Sequence, residues 1–406
     1  MDCIIIGGGI VGTCCALRLQ QAGIKTVIVD PAAEPKPPSW GNAGHIAIEQ
    51  VEPLASRAMI RSAPGRLFAL GGALSLPLSE IAAWAPFAAQ LWKASAPERY
   101  AMGRAALGVL QVDALPAWRR LTADMKVPDL LVENGHFVVW ESARTAAAGL
   151  EHWSRADIGT ARFRAASDEE LQRLAAIMRA PPAGAIRFTN TAQIADPDQL
   201  LAALAALSGE RRVGSAAALR MEDGQAAVEL AGGEVLRART ILVAAGVRSG
   251  ALMTGIGHKV PIIAERGYHI ASPGGAWPQD LPPIVFEDRS VIVTRFAGSV
   301  RASSFVELAR AESPPDARKW ARLRKHVRAL GLPFEPPGKQ WMGPRPTLPD
   351  YLPAIGRSGI APNLFYAFGH QHLGLTLAPT TAEHMLALMA GNPQPLLRAF
   401  DVERFA

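Results

Sequence analysis

The chain has 406 residues, with 42 Lys and Arg against 36 Asp and Glu and a formal net charge of +6. At 49% hydrophobic and 19% charged residues it is too apolar for a disordered chain, and its length allows two or three domains around a sizeable core. The basic residues are scattered rather than gathered into blocks that track a phosphate backbone, so no nucleic-acid partner is expected.

Its three cysteines, Cys3, Cys14 and Cys15, crowd the first strand and helix without a Cys-x-x-Cys pair, which argues against a disulfide framework and a zinc site. No metal is expected. The opening residues are already strand and turn, with no basic n-region or cleavage site, so the expected location is the cytoplasm.

Residues 2–30 read as one βαβ unit: a buried strand over 3–6, a glycine-rich turn, a helix over 11–22 and a strand over 26–29 that closes on Asp30. In Gly7-x-Gly9-x-x-Gly12, Gly7 permits the tight turn, Gly9 lets a pyrophosphate approach the backbone, and Gly12 lets helix and strand pack closely. Ile10 and Val11 open the helix, whose free N–H groups suit a diphosphate. Asp30 is placed to accept from ribose hydroxyls. FAD and NAD both fit this fingerprint.

A Pro-rich stretch over 31–38 leads into Ser39-Trp-Gly-Asn-Ala-Gly-His45, whose small and flexible residues suit a ligand-lining loop. Residues 61–92 are strongly apolar but broken by Gly71-Gly72, Pro77 and Pro86, short of the ~20 unbroken residues of a membrane span. Two readings fit them: core helices of a second domain, or a segment lying in the membrane interface with its Trp residues and flanking Arg61, Arg66 and Lys93 at headgroup level.

Two helices are expected over 98–125, a strand over 130–140 around Asn134-Gly135, and a helix over 169–178. Asp196-Pro197 reads as an N-cap opening a helix to 207. Strands over 216–221 and 226–230 form a meander, and 240–244 is a buried strand ending at Ala245-Gly246. Further strands are expected over 265–271, 284–286 and 291–295, a charged helix over 316–329, a strand over 364–367, and a final helix with Pro379 in its first turn. On the strand from Glu265, period two puts Arg266 and Tyr268 on one face and Glu265 and His269 on the other.

With βα units at both ends enclosing antiparallel strands, the expected fold is α+β: a Rossmann-like domain from 1–60, 185–255 and 340–406, interleaved with an antiparallel-sheet substrate domain from 61–184 and 256–339.

The chain resembles the D-amino-acid oxidase family of FAD-dependent oxidoreductases, and most nearly its bacterial D-amino-acid dehydrogenases, including those acting on D-hydroxyproline. The residues that carry the resemblance are Gly7–Gly12 with Asp30, Gly41-Asn-Ala-Gly44, Glu265-Arg-Gly-Tyr-His269, Gly343-Pro-Arg-Pro-Thr-Leu-Pro-Asp350 with Pro353-Ala-Ile-Gly356, and Phe368-Gly-His-Gln-His-Leu-Gly-Leu-Thr376. The chain departs from many such dehydrogenases at Gln371, where they have Gly.

The resemblance implies bound FAD, contacted by Asn42, Ala43, Gly44, Ala245, Gly246, His372, Leu373, Gly374, Leu375 and Thr376 as well as the first glycines. It places the N-terminus of the final helix at the flavin pyrimidine edge, where N–H groups stabilise developing negative charge. Arg345, stiffened between two prolines, is expected to clamp a substrate carboxylate bidentately. Tyr268 is expected to offer a hydroxyl to the substrate, and His45 and His370 to line the pocket.

The implied reaction is oxidation of a D-amino or cyclic imino acid, with electrons passed to a quinone-type acceptor and contact at the inner face of the membrane. An oxygen-using D-amino-acid or glycine-type oxidase, a non-catalytic FAD subunit of a larger dehydrogenase, and an NAD-dependent dehydrogenase are the alternatives. With no cysteine in the C-terminal half, the cofactor is expected to be held noncovalently.

Overall fold

The computed structural model describes residues 1–31, 36–222, 224–335, 338–392 and 394–406. Part of the Pro-rich stretch (32–35) and Asp223 in the meander turn therefore lie outside the described residues.

Short runs of consecutive apolar residues give strands buried on both faces, and here they build the centre of a six-stranded sheet. Its order is Glu210–Val213, Thr26–Asp30, Cys3–Ile6, Thr240–Val243, Leu364–Phe368 and Ala354–Arg357. The first five strands run parallel and the last is antiparallel. Helices Ile10–Gln21 and Gly374–Met389 pack against each other over this sheet, in a core that includes Ile5, Leu17, Leu242, Leu377 and the fully buried Trp118. The Trp118 indole N–H donates to the Leu375 carbonyl at 3.0 Å and ties the second helical layer to the start of the final helix.

A nine-stranded, mainly antiparallel sheet forms the other half. Its order is Lys339–Thr347, Ile263–Pro273, Ser299–Ala309, Val291–Arg295, Ile284–Phe286, His136–Trp140, Gly184–Phe188 and Phe163–Ala165, with Leu74–Ser75 beside Ser299–Ala309. A small sheet of His45–Ile46, Ala192–Ile194 and Leu131–Val132 joins the glycine-rich loop to this layer, and Ala216–Glu222, Gln225–Leu230 and Val235–Ala238 form the expected meander. The fold is α+β, with a Rossmann-like sheet and an antiparallel sheet built from interleaved segments.

Several elements differ from the sequence reading. Gly184–Phe188 and Lys339–Thr347, expected on the nucleotide side, are hydrogen-bonded into the antiparallel sheet. The stretch 130–140 is not one strand: Gly135, at φ +67°, breaks it into pieces that join two different sheets. Ser299–Ala309 is a long central strand that its polar centre concealed. The final helix begins at Gly374, so Gly374–Thr376 are its first turn and Pro379 lies inside it.

The segment over 61–92 reaches the core through Phe68 and Phe87 but leaves much of its apolar surface outside it. Of the helix Ile81–Ala94 only Phe87 is buried, while Leu70 and Leu78 are 72% and 81% exposed and Ile81 and Trp92 about half exposed. Among the described residues no helix is long and apolar enough to cross a membrane.

Candidate active site

The glycine turn is built as its sequence requires. Gly7 has φ +110°, and a Cβ there would lie 2.3 Å from the Ala244 carbonyl oxygen; one on Gly12 would lie 2.0 Å from the Gly7 carbonyl oxygen. Both positions exclude a side chain sterically. At Gly9 a Cβ would meet nothing closer than the Ser39 hydroxyl at 4.0 Å, so the space in front of this residue is open to a ligand.

Gly9 is also the N-cap of Ile10–Gln21, which no side chain caps, and the Ile10 N–H reaches only the Ser39 hydroxyl at 3.3 Å. An open glycine at an uncapped helix N-terminus fits a diphosphate. Asp30 accepts from the Gly8 N–H at 2.5 Å; burial raises its carboxyl above the usual range against that hydrogen bond and the charges of Arg211 and Arg248.

Three of the singled-out motifs converge on one small cavity, lined by Ile10 from the first helix, Ser39 and Gly44 from the loop, and Leu375 from the final helix. The loop is held from several sides. Asn42 accepts from the Gly44 N–H at 2.9 Å, Arg301 donates to the carbonyls of Trp40 and Asn42 at 2.8 and 2.5 Å, and His269 Nδ1 donates to the Gly41 carbonyl at 3.1 Å. The Ala47 N–H donates to Thr376 Oγ1 at 3.0 Å, which brings the chain beyond the loop against the first turn of the final helix. Ala245 and Gly246 follow the central strand Thr240–Val243, close to Gly7.

Arg345 sits on the edge strand Lys339–Thr347, in register with Glu265. Its Nη1 donates to Glu265 Oε1 at 3.1 Å and to the Phe305 carbonyl at 3.2 Å, which leaves Nη2 and Nε for another acceptor. The guanidinium lies over Gly267, where a Cβ would come within 2.2 Å of Nη2. The buried Glu265 also accepts from Tyr351 at 3.1 Å and Thr347 at 3.5 Å, so Arg345 is not its sole partner. Burial together with the Glu265 charge holds the Tyr351 hydroxyl well above its usual range, fixing it as a donor.

Five non-glycine residues among those described have positive φ, and three of them, Phe305, Tyr351 and Gln371, ring this pair. Each such conformation costs on the order of 1–3 kcal/mol and persists only where surroundings over-determine it. The Gln371 side chain donates to the Tyr351 carbonyl at 3.0 Å, and a backbone bridge from Thr347 to His370 clips the loop to the strand of Arg345.

Two expected residues face elsewhere. Tyr268 lies on the opposite sheet face from Arg345: its hydroxyl donates to Glu307 at 2.5 Å, accepts from the Asp316 N–H at 3.1 Å, and is buried with Arg266 and Lys319. A substrate hydroxyl contact is therefore reassigned to an internal ion cluster, as the alternation with Glu265 dictates. A cavity of about 660 Å³ opens on that same far face, where Arg266, Glu307 and Asp316 are already paired. His370 is buried and its Nε2 is committed to Thr381 Oγ1 at 3.0 Å; it braces the final helix rather than lining a pocket.

His372 contacts Gln50 at 2.5 Å, and burial lowers its pKa to about 4 in the combined field of Glu265, Arg345 and Glu49. His45 is brought beside Glu49 at 2.9 Å and edge-on to His136, with ring centroids 4.4 Å apart. Sequence reading missed Glu49, His136, Glu265 and Tyr351 as members of the site. The i,i+4 spacing of His45 and Glu49 was the one available signal.

A parallel nucleotide sheet with an uncapped glycine turn, set against an antiparallel layer that presents an arginine with spare donors, defines a dinucleotide-dependent oxidoreductase. The chain matches the FAD dependent oxidoreductase (DAO) family over residues 2–388 and belongs to it; its cofactor is FAD. It is 30% identical to a D-amino-acid oxidase of Bradyrhizobium diazoefficiens, over 99% of this chain and 98% of that protein. It is 27% identical to D-amino acid dehydrogenase 2 of Ralstonia nicotianae, over 96% of each. Its fold is similar to that of iminodiacetate oxidase from Chelativorans sp. BNC1, with a TM-score of 0.73 at 18% identity and 98% of both chains covered.

Proposed function

We propose that the enzyme oxidises a D-amino acid or a cyclic imino acid of the D-proline or D-hydroxyproline type. The observation that carries this reading is the Arg345 guanidinium, anchored through one nitrogen only and backed by side-chain-free Gly267, so that two donors remain for a carboxylate. Names of two relatives, a D-amino-acid oxidase and a D-amino acid dehydrogenase, support an amino acid substrate.

Gly7, Gly9, Ile10, Val11 and Gly12 would hold the FAD diphosphate, Asp30 the ribose, and the Asn42–Gly44 loop, Ala245-Gly246 and His372–Thr376 the rest of the cofactor. Bound FAD supplies a two-electron acceptor for a hydride from the substrate Cα. The protein's part is to fix the carboxylate at Arg345 and so aim Cα, with positioning as the main source of rate.

Electrons then pass to a quinone-type acceptor, in keeping with the exposed Leu70, Leu78, Ile81 and Trp92 and the Arg57 guanidinium stacked 3.5 Å over Trp92, a surface suited to contact with a membrane. A second reading, direct return of electrons to oxygen, is favoured by the oxidases among the similar proteins.

Anaerobic bleaching of the bound flavin by a panel of D- and L-amino acids and all proline and hydroxyproline stereoisomers tests the substrate. Failure of every member to bleach it would sink the reading in favour of a non-catalytic FAD subunit. Rapid stoichiometric peroxide in air, unaffected by a quinone analogue, would replace the dehydrogenase with the oxidase.

A further inference from the structure

The cavity of about 660 Å³ on the far sheet face plays no part in the reading above, yet it has the size of a small-molecule site, about 300–1,000 Å³. Leu67, Phe68, Leu74, Leu76 and Pro77 give it an apolar wall. Its charged lining is three carboxylates, Glu80, Glu307 and Asp316, and three guanidiniums, Arg266, Arg318 and Arg322. What these groups leave unsatisfied says what would bind.

The acceptors are spent. Glu307 takes Arg266 and the Tyr268 hydroxyl on Oε2, and Lys319 on Oε1 at 2.6 Å. Asp316 takes Lys319 at 2.9 Å and Arg318 on both oxygens. Glu80 takes the Ser313 hydroxyl at 2.7 Å and Arg310 on both oxygens. Every carboxylate oxygen in the lining therefore has a donor already.

Donors are left over. Arg322 has no carboxylate partner among the described residues: Nη1 donates to the Phe68 carbonyl at 2.7 Å, Cζ lies 3.9 Å from the Phe68 ring centroid, and Nε and Nη2 are uncommitted. Arg318, four residues earlier on the helix Ala317–Leu330 and so on the same face, keeps Nη1. Arg266, by contrast, spends all three nitrogens on Glu307 and the carbonyls of Ser313 and Pro314. Ser75, in register with Glu307, is only 8% exposed, and its hydroxyl has no hydrogen-bond partner among the described residues although the residue lines the cavity. A buried polar group without a partner needs an explanation, and a ligand acceptor supplies one.

A cavity with donors to spare, no acceptor to spare and an apolar wall selects an anion that carries an apolar body. Leu70 follows the lining residue Ala69, and Leu78 stands between the lining residues Pro77 and Ser79; they are 72% and 81% exposed, so apolar surface continues outward from the site. We infer that the cavity binds the phosphate of an anionic phospholipid, with Arg322, Arg318 and Ser75 on its oxygens and the first carbons of its chains along Leu67, Phe68 and Leu76. This builds on the reading of the 61–92 surface as a membrane contact and adds a choice of lipid to it.

Titration calorimetry on the FAD-loaded protein tests this with dihexanoylphosphatidylglycerol below its micellar concentration, which should bind at a single site. Glycerol phosphate and inorganic phosphate, which leave the apolar wall bare, should bind at least roughly tenfold more weakly. Dihexanoylphosphatidylcholine should also bind more weakly, because its ammonium meets no uncommitted carboxylate. Arg322→Gln should weaken the phosphatidylglycerol by about ten- to a hundredfold. Since Arg322 also stacks on Phe68, Ser75→Ala provides a milder change that should weaken binding several-fold in a normally folded protein. The exposed pair Arg144→Gln with Arg162→Gln removes as much charge elsewhere and should change nothing.

Absence of binding, equal affinity for phosphatidylcholine or for free phosphate, or undiminished binding in both Arg322→Gln and Ser75→Ala would each overturn the assignment. Co-sedimentation with vesicles separates it from the membrane reading. If the protein sediments with vesicles but takes no soluble phosphatidylglycerol, the membrane contact stands and the cavity assignment falls; if it sediments with no vesicle of either lipid, the membrane reading has failed.

Discussion

Gln371 donates its side-chain amide to the carbonyl of Tyr351, and both residues hold positive φ, +44° and +57°. Two strained loops thus brace each other, and Tyr351 passes the constraint to Glu265 and on to Arg345. A glycine at 371 would adopt this backbone freely but could not make the bond. Gln371→Ala keeps the strain and loses the bond, so it should be less stable than Gln371→Gly by about 1 kcal/mol in denaturant unfolding. Equal stabilities would show that the conformation carries no cost.

Arg345→Lys retains charge but not the planar pair of donors. We expect kcat/KM to fall by roughly ten- to a hundredfold, mostly through KM, since a charged hydrogen bond is worth about 1.5–3 kcal/mol. Steady-state kinetics with the best substrate of the panel checks this, and a variant of normal KM would remove Arg345 from the binding site.

The glycines of the first turn should separate by effect. Gly12→Ala drives a methyl into the Gly7 carbonyl and should yield little folded protein, whereas Gly9→Ala faces open space and should fold normally with weakened FAD. Yield, circular dichroism and the flavin-to-protein absorbance ratio of the two variants distinguish these outcomes.

His136 and His370 are buried and neutral, each lowered to about 3 by burial first of all. Unfolded histidine ionises near 6.5, so between about 6.5 and 3 the unfolded chain binds more protons than the folded one. Their contribution is complete above that window and declines as pH falls through it, by ~1.4 kcal/mol per unit per residue. Unfolding free energies at pH 7, 6 and 5 should drop accordingly, and His370→Gln should flatten the slope by about one proton.

The exposed apolar surface of the segment over 61–92 should bind anionic vesicles. Replacing Leu70, Leu78 and Trp92 together by Ser should abolish co-sedimentation while leaving flavin content unchanged, because none of the three is buried in the core. Wild-type protein that stays in the supernatant would leave this surface for another partner.

The nucleotide half was legible because its signals are local: consecutive apolar residues for parallel strands, glycines at fixed offsets, Asp30 at a strand end. The opposite facing of Arg266 and Glu265 also followed from local spacing, whereas the clamp role of Arg345 came from the family resemblance. What escaped depends on distant segments meeting. His136 reaches His45 only because strands of two sheets lie side by side, and Tyr351 reaches Glu265 through a strained turn that no periodicity announces. Tyr268 was misassigned for the complementary reason: alternation gives two faces but does not say which of them meets the cofactor layer.

The strand that bears Arg345 lies at the margin of its sheet, and Pro344 and Pro346 leave it without two of its amide donors. An intruding strand from another molecule would find acceptors there but too few hydrogens to zip onto. The same pair of rings that stiffens the guanidinium's perch therefore also hinders strand-to-strand joining of two copies along this margin.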